Sequence, residues 1–324
     1  MKRDKLTFLI AELILIVLAA FFIHKIFQED VAQKRVAVIL QNSGDTRWEG
    51  VINGLKQSAK TNNLHLIICN TDDIVSAQDE RELIEEQLEN DVDAFILCPA
   101  PGADTKEMLD WLGEQKKPFV LLTEDVYTGE QPEASGYATV KPDNYQIGYT
   151  LGTQLITQDE DGLKGKRIGV IAGRSKTEAS VNRIQGLKDA LEKQDCEIAW
   201  EYNEESDTDI CAVVDAQVSV DYMVVMDTQA LDTLGEHAEN GVYKDAKIFG
   251  VGTSMKSIAL LDAGQVQCLV IPDGYGIGYE SVEEIEKELT RTFYTLKSHE
   301  KEVKVIYKED LFSDEIERFL YSYE

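Results

Sequence analysis

After residue 34, the sequence alternates between short runs rich in β-branched residues and longer amphipathic segments. The first run is RVAVILQ (35–41), and the amphipathic segment TRWEGVINGLKQSAKTNN (46–63) follows it. Short continuous apolar runs predict buried parallel strands, and the segments between them predict helices. Strands that alternate with helices form doubly wound sheets with helices on both faces. We therefore predict the α/β fold class.

The alternation occurs twice and restarts after a break near residue 142. The strand-like runs lie at 35–41, 64–70, 92–99, 118–125 and 136–141 in the first series, and at 166–173, 196–202, 221–227, 246–252 and 266–273 in the second. Two series predict two doubly wound, Rossmann-like lobes, which we assign to residues 34–141 (N-terminal lobe) and 142–271 (C-terminal lobe). Ligand sites in such sheets lie beyond the carboxyl ends of the strands, so we expect a cleft between the lobes.

The C-terminal part of the sequence extends beyond the second series. A long helical segment (276–298) and the late strand EVKVIY (302–307) must either return to the first lobe or stay on the second, and we assign residues 272–308 to the N-terminal lobe. Residues 309–324 form an acidic tail with apolar residues at Leu311, Phe312, Ile316, Phe319 and Leu320. Their roughly helical spacing predicts an extra packed helix.

The first 33 residues differ in composition from the rest. An apolar run spans residues 6–23, carries Glu12 near its start and follows a short basic segment. A helix of this length, at about 1.5 Å per residue, nearly spans a hydrocarbon core of about 30 Å. We therefore expect residues 1–33 to form a cytoplasmic tip, a single transmembrane helix as anchor and a linker, with the globular part extracytoplasmic at the cell membrane. A cleaved signal peptide is the alternative.

Charge and reactive side chains limit the function classes. The chain of 324 residues has 32 basic and 60 acidic side chains, and its net charge of −28 argues against nucleic acid or an anionic membrane surface as a partner. The five cysteines are scattered without a CxxC spacing and the four histidines are isolated, so the sequence predicts neither a disulfide framework nor a metal site. No nucleophile–base pattern or phosphate-binding loop can be assigned. We expect no catalytic activity and no cofactor.

Six segments carry a family resemblance through their order and spacing. They are RWEGVINGLKQSAKTNNLHLIICNTDD (47–73), QLENDVDAFILCPAP (87–101), KPFVLLTED (117–125), DNYQIGYTLGTQL (143–155), GKRIGVIAG (165–173) and NRIQGLKDAL (182–191). Together they resemble the type I periplasmic binding proteins, most closely the ribose- and galactose-binding group, whose fold also forms the effector domains of the lac repressor family. The resemblance covers residues 34–297.

In that family the Asp-Asn segment follows a hinge crossover, and the next helix opens the second lobe. The resemblance therefore places Asp143 and Asn144 beside the hinge, where either can cap that helix. The helix also carries Gly148 and Gly152, although each glycine in a helix interior costs about 1 kcal/mol relative to alanine. We expect the glycines to let the helix approach the sheet closely, and ordinary small-residue packing is the alternative.

The resemblance also implies ligand-binding positions, which we carry over one by one. The candidate residues are Asp45, Arg47, Trp48, Cys98, Thr123, Glu124, Arg183, Asp227, Thr253 and Asp273, and we add Arg174 because the glycine loop AGRS (172–175) can place it at the cleft. Sugar-binding members stack pyranose rings on aromatic faces and bind the hydroxyls with polar side chains. Here the polar pattern is only partly kept, since Cys98 stands at a polar position, and Thr123 and Glu124 stand where the family has an Asp-Arg pair. Trp48 can be a ligand platform or a core residue, and Asp227 a ligand contact or a helix cap.

These residues leave the charge of the ligand open. Arg174 and Arg183 together would favour an anionic ligand, whereas the carboxylates of Glu124 and Asp125 would disfavour one. The resemblance implies an extracytoplasmic solute-binding protein that closes on a small sugar or sugar-like ligand and presents it to the permease subunits of an ABC transporter. With the expected N-terminal anchor, this protein would be tethered to the membrane. The alternative is a ligand-sensing subunit read by a membrane histidine kinase or chemoreceptor. A transcriptional regulator is disfavoured because an apolar segment stands where a basic helix-turn-helix would be.

Overall fold

The structure is a computed structural model that describes residues 12–19, 33–129, 133–159, 162–204, 208–239 and 246–321. The chain divides into two units, residues 1–34 and 35–324. In the first unit, residues 12–19 are helical, and the side chains of 13–18 are all exposed. Among the described residues, no helix has the length and apolar character that a membrane crossing needs. The rest of the predicted anchor lies outside the described residues.

The second unit contains two sheets, and its strands fall close to the predicted runs. In chain order they are β1 (Arg35–Ile39), β2 (His65–Ile68), β3 (Ala94–Leu97), β4 (Phe119–Leu122), β5 (Thr139–Pro142), β6 (Arg167–Arg174), β7 (Glu197–Glu204), β8 (Tyr222–Val225), β9 (Lys247–Val251), β10 (Val266–Pro272), β11 (His299–Lys301) and β12 (Val303–Ile306).

Helices alternate with these strands, as the pattern predicts. They are α1 (Glu49–Thr61), α2 (Ala77–Glu89), α3 (Thr105–Glu114), α4 (Asn144–Gln158), α5 (Glu178–Leu191), α6 (Ile210–Asp215), α7 (Thr228–Glu239), α8 (Met255–Asp262), α9 (Gly274–Thr290) and α10 (Asp314–Tyr321). Short 3-10 helices lie at Thr46–Trp48 and Lys308–Asp310.

The two sheets have the same doubly wound topology. The first has the order β11-β5-β4-β3-β1-β2 and the second β12-β10-β9-β8-β6-β7. All pairs are parallel except β10 with β12. The side chains of β1 alternate between two apolar layers, which explains why the run lacks polar positions: Val36 and Val38 pack with α1 and α9, and Ala37 and Ile39 pack with α2 and α3. The predicted α/β fold with two lobes is confirmed.

The chain crosses between the lobes at three places. It passes to the second lobe after β5, returns to the first after β10, and passes to the second again between β11 and β12. The backbone N–H of Asp273 donates to the carbonyl oxygen of Glu302 at 3.0 Å and joins the last two crossings. We expected residues 272–308 to lie on the N-terminal lobe. Helix α9 and β11 do, whereas β12 pairs with β10 in the second sheet, where Ile306 is fully buried.

The glycines of α4 allow close contact with a helix rather than with the sheet. A Cβ atom added at Gly148 would lie 1.8 Å from the carbonyl oxygen of Arg183 on α5, and one at Gly186 would lie 2.0 Å from that of Tyr145 on α4. The expected approach to the sheet is therefore corrected. Helices α4 and α5 pack backbone to backbone, and this contact fixes the position of Arg183.

The C-terminal tail forms the predicted helix, α10. Leu311, Ile316 and Leu320 are buried in the apolar layer that covers one face of the second sheet, and Phe319 packs against them. The side chain of Phe312 is 76% exposed, so its expected packing is wrong. Phe312 precedes α10 in the turn that leads into it, and a helical register does not apply there.

Candidate functional site

A cavity of about 490 Å³ lies where the carboxyl ends of both sheets meet. Its volume is within the range of about 300–1,000 Å³ that is usual for small-molecule sites. Of the candidate residues, Asp45 is not part of the cavity wall, and the others line it: Arg47, Trp48, Cys98, Thr123, Glu124, Arg174, Arg183, Asp227, Thr253 and Asp273.

The 3-10 helix after β1 presents Arg47 and Trp48 to the cavity. Asp45 caps this helix, because its side chain accepts a hydrogen bond from the backbone N–H of Arg47 at 2.8 Å. The indole N–H of Trp48 donates to the carbonyl oxygen of Gln41 at 2.8 Å, and the side chain packs among residues of the first apolar layer. Trp48 is thus both a core residue and part of the cavity wall, and its orientation is fixed without a ligand.

Arg47 extends from the first lobe toward the second. Its Nη1 lies 3.7 Å from Oδ2 of Asp227, and its Nε lies 3.9 Å from Oδ2 of Asp45. Burial alone would lower the pKa of Arg47, but the carboxylates of Asp227 and Asp45 raise it above the usual value. The Nε is buried and has no hydrogen-bond partner among the described residues. Arg47 therefore stays charged, and its Nη1 end faces Asp227 across the cleft.

Arg183 is held by the first turn of α4. Its Nε and Nη2 donate to Oδ1 of Asn144 at 3.0 and 2.9 Å, and its Nη1 donates to the carbonyl oxygen of Met226 at 2.6 Å. Asn144 in turn donates to the carbonyl oxygen of Thr123 at 3.2 Å, across the crossover. Asp143, not Asn144, caps α4. The two residues therefore have different roles. Asp143 caps the helix, and Asn144 connects Arg183 to the first lobe.

Arg174 forms a bridge between the lobes. It extends from the end of β6 to the first lobe, where its Nη1 donates to Oε1 of Gln41 at 3.1 Å and to the carbonyl oxygen of Ile74 at 2.9 Å. Its Nη2 is paired with the carboxylate of Asp73. The guanidinium is thus surrounded by protein acceptors, which leaves less of it for an anionic ligand than the sequence suggested.

Buried groups close the first-lobe wall. The Sγ of Cys98 lies 3.6 Å from Oγ1 of Thr123, and burial raises the pKa of the Cys98 thiol. Glu124 accepts a hydrogen bond from the backbone N–H of Ala179 at 3.1 Å, which again joins the lobes. Burial raises the pKa of Glu124 to about 7. Cys98 is therefore a neutral wall residue, and Glu124 changes its charge near neutral pH.

Two helix caps and a pair of threonines also line the cavity. Asp227 begins α7 by accepting hydrogen bonds from the backbone N–H groups of Gln229 and Ala230 through one oxygen, and its other oxygen faces Arg47. Asp273 caps α9. The Oγ1 of Thr253 lies 3.2 Å from that of Thr228. Asp227 is thus a helix cap that also lines the cavity, and its contact with a ligand stays a prediction.

The sequence reasoning missed several cavity residues. They are Gln41, Asp73, Glu204, Phe319 and Leu320. Gln41 and Glu204 stand where β1 and β7 end, so the rule that sites lie beyond the carboxyl ends of strands could have found them. Burial, with nearby Asp227, raises the pKa of Glu204 to about 7. Nothing in the spacing indicated that the tail helix reaches the cavity.

A separate cluster could hold a metal by distance alone. The ligand atoms of Glu280, Glu284 and His299 lie within 4.8 Å of one another. The Nζ of Lys287 lies 2.9 Å from Glu284, and the Nζ of Lys301 lies 3.1 Å from Glu280, so two ammonium groups already neutralise the carboxylates. Burial opposes ionisation of Glu284, yet hydrogen bonds from Lys287 and others lower its pKa to about 2. These residues form an ion-pair network that holds the edge strand β11 against α9.

The buried carboxyl of Glu124 makes stability depend on pH. With a folded pKa of about 7, above its ordinary value of about 4.5, the folded state holds a proton that the unfolded state has released. The stability contribution of this group therefore falls as the pH rises from about 4.5 to 7. We expect Glu124→Gln to raise the melting temperature by about 3 °C or more at pH 8 and by less at pH 5.5, measured by calorimetry. An equal gain at both pH values would contradict this reading.

Comparison with protein families found one match. The family model described as "Periplasmic binding protein domain" matches residues 36–290. No curated protein matches the sequence significantly.

Solved structures with the same fold are numerous, and three serve as examples. The glucose-galactose binding protein GanP from Geobacillus stearothermophilus is 18% identical, with a TM-score of 0.73 over 87% of this chain and 99% of its own. A carbohydrate transporter solute binding protein from Agrobacterium radiobacter, solved with D-arabinose, is 13% identical, with a TM-score of 0.78 over 90% and 100%. A chain of the XylFII–LytSN complex is 16% identical, with a TM-score of 0.72 over 86% and 99%. At these identities the likeness concerns the fold.

Proposed function

Because the chain belongs to the family of periplasmic binding protein domains, we propose that it is a solute-binding protein whose two lobes close on a small, neutral, sugar-like ligand. One observation carries the proposal: the cavity receives hydrogen-bonding side chains from both lobes, among them Arg47 and Asp227, whose charged atoms lie 3.7 Å apart. A ring with several hydroxyl groups can accept from Arg47, donate to Asp227 and lie beside the ring of Trp48.

The charge balance favours a neutral ligand over an anion. The described charged residues of the cavity wall are three arginines and six carboxylic acids: Arg47, Arg174, Arg183, Glu49, Asp73, Glu124, Glu204, Asp227 and Asp273. Arg174 is paired with Asp73, and Arg47 faces Asp227. An added carboxylate would meet a wall without excess positive charge, so its desolvation would be poorly compensated.

A thermal-shift screen tests the proposal. The purified protein would be heated with neutral sugars, sugar acids, amino acids and nucleosides, each in turn. A ligand at 100 times its dissociation constant adds about 2.7 kcal/mol, which raises the melting temperature by about 5 °C. We expect a shift with a neutral sugar. A shift only with sugar acids or amino acids, or with none of the four classes, would overturn the proposal.

We further propose that the protein is tethered to the membrane with its lobes outside, and that an ABC transporter takes up the ligand. Support for the tether comes from residues 13–18, a helical segment whose large apolar side chains are exposed on all sides. A helix that is apolar all round requires an apolar environment. We expect to find the full chain in the membrane fraction of cells. The chain without residues 1–29 should be in the soluble fraction. Equal distribution of the two would contradict the tether.

A sensing role is the second candidate. A chain with this fold occurs in the complex of XylFII with a second protein, LytSN, so the scaffold is compatible with a protein partner. In this role, closure of the lobes would be read by a membrane histidine kinase or chemoreceptor. Neighbouring genes distinguish the two: a permease and an ATPase support transport, and a kinase with a response regulator supports sensing.

A further inference from the structure

Part of the cavity wall is apolar and comes from the second lobe. Its residues are Met255 and Ile258 of α8, Ile271 at the end of β10, and Phe319 and Leu320 of α10. The last four belong to or pack against one apolar cluster. These residues line the same cavity as the polar wall around Asp227. We use "apolar branch" for this set of five residues.

The tail helix reaches the cavity because of how β12 ends. Strand β12 runs antiparallel to β10, so it leads the chain away from the cleft, and the 3-10 turn Lys308–Asp310 precedes the return. Leu311 and Ile316 are buried against the second sheet, and only the last turn of α10 contributes to the cavity wall.

A second contact holds this last turn in place. The Nζ of Lys304 on β12 lies 2.7 Å from Oε1 of Glu315 and 4.9 Å from the ring centre of Phe319. Phe319 therefore has a defined position, between Lys304 of β12 and other residues of the apolar branch. A side chain that is fixed in this way is suited to shape a binding pocket.

The chemistry of the apolar branch differs from that of the cleft. Its five side chains offer no hydrogen-bond donor or acceptor apart from the weakly accepting sulfur of Met255, so the hydroxyl groups of a sugar would lack partners there. An alkyl or aryl group gains affinity by leaving water.

We propose that the ligand is a glycoside, whose sugar occupies the polar cleft and whose apolar aglycone occupies the apolar branch. This inference rests on the proposed function, because it assumes that a neutral sugar binds in the cleft. The tail helix then sets ligand specificity, and this gives residues 314–321 a role beyond packing.

Calorimetric titration with a homologous series tests the inference. The probes are D-glucose and D-galactose with their methyl, n-propyl, n-pentyl and phenyl glycosides, in both anomeric forms. Each buried methylene is expected to increase the affinity by about fourfold until the branch is filled. For at least one sugar and anomer, the pentyl glycoside should therefore bind far more tightly than the methyl glycoside.

Two phenylalanines of the tail provide a matched pair of variants. Phe319→Ser makes the branch polar and is expected to remove the gain with chain length, whereas Phe312→Ser, at an exposed position outside the cavity, is expected to keep it. Ile258→Ser tests the opposite wall, in case Phe319→Ser unfolds α10, which circular dichroism would show.

The outcomes separate this inference from the proposed function. Binding of free sugars with no gain along the series overturns the glycoside proposal and leaves the proposed function intact. A gain that survives in both Phe319→Ser and Ile258→Ser overturns the assignment to the apolar branch. Absence of binding by every free sugar and glycoside overturns both proposals.

Discussion

Gly148→Ala is expected to destabilise the protein by about 3 kcal/mol or more, which lowers the melting temperature by at least about 6 °C. The added methyl group would lie 1.8 Å from the carbonyl oxygen of Arg183, and this atom belongs to a helix backbone that cannot move alone. The variant must therefore separate α4 from α5 and lose the buried packing between them. Helix propensity alone predicts the opposite sign, since alanine is favoured over glycine by about 1 kcal/mol.

Gly113→Ala is the matched control for this prediction. Gly113 lies in α3, and an added Cβ would meet no atom within 4 Å. We expect this variant to be as stable as the wild type or more stable, by up to about 1 kcal/mol. Chemical denaturation of both variants measures the difference. If Gly148→Ala proved as stable as Gly113→Ala, the close packing of α4 on α5 would be wrong.

Asp227→Asn is expected to weaken binding of a neutral sugar by at least tenfold. The amide retains the cap of α7, because asparagine caps helices as well as aspartate does. The change removes a charged acceptor from the cavity, and hydrogen bonds to charged groups contribute about 1.5–3 kcal/mol, which is tenfold or more in affinity. It also leaves Arg47 without its carboxylate partner in the second lobe. The preference between a neutral sugar and its uronic acid should therefore shift toward the acid.

A cap outside the cavity controls for this effect. Asp209 caps α6 with the same pattern, accepting hydrogen bonds from the backbone N–H groups of Cys211 and Ala212, and it does not line the cavity. Asp209→Asn should leave sugar affinity unchanged. Titration calorimetry on both variants gives the comparison. An Asp227→Asn protein that binds sugar as the wild type does would remove Asp227 from the site.

The lobes and their main elements could be predicted from sequence because their signal is local. Buried strands such as β1 need apolar residues on both faces, so the run RVAVI is recognisable by itself. The edge strand β11 consists of His299, Glu300 and Lys301 and carries no such signal, since its pairing with β5 is decided by the ion pairs and packing around it. The sequence of β12 likewise did not show which of the two sheets the strand joins.

The location of the candidate site could be predicted from the sequence, but the ion pairs between its residues could not. Family positions and strand ends identified residues such as Arg174 and Asp227, which do line the cavity. The sequence could not show that Arg174 is paired with Asp73, 101 residues away, because such contacts form only when the lobes meet. The charge available to a ligand depends on these pairings. Our proposal of a neutral rather than an anionic ligand therefore rests on these pairings.

Calorimetric titration of the wild-type protein with D-galactose, D-glucose and D-arabinose, and with galacturonic and glucuronic acid, decides whether the ligand is a neutral sugar. We expect saturable binding at one site for a neutral sugar, and binding of its acid at least tenfold weaker, because Arg47 and Arg174 already face the carboxylates of Asp227 and Asp73 across the cleft. Binding of an acid alone, or of none of the five compounds, would contradict this expectation.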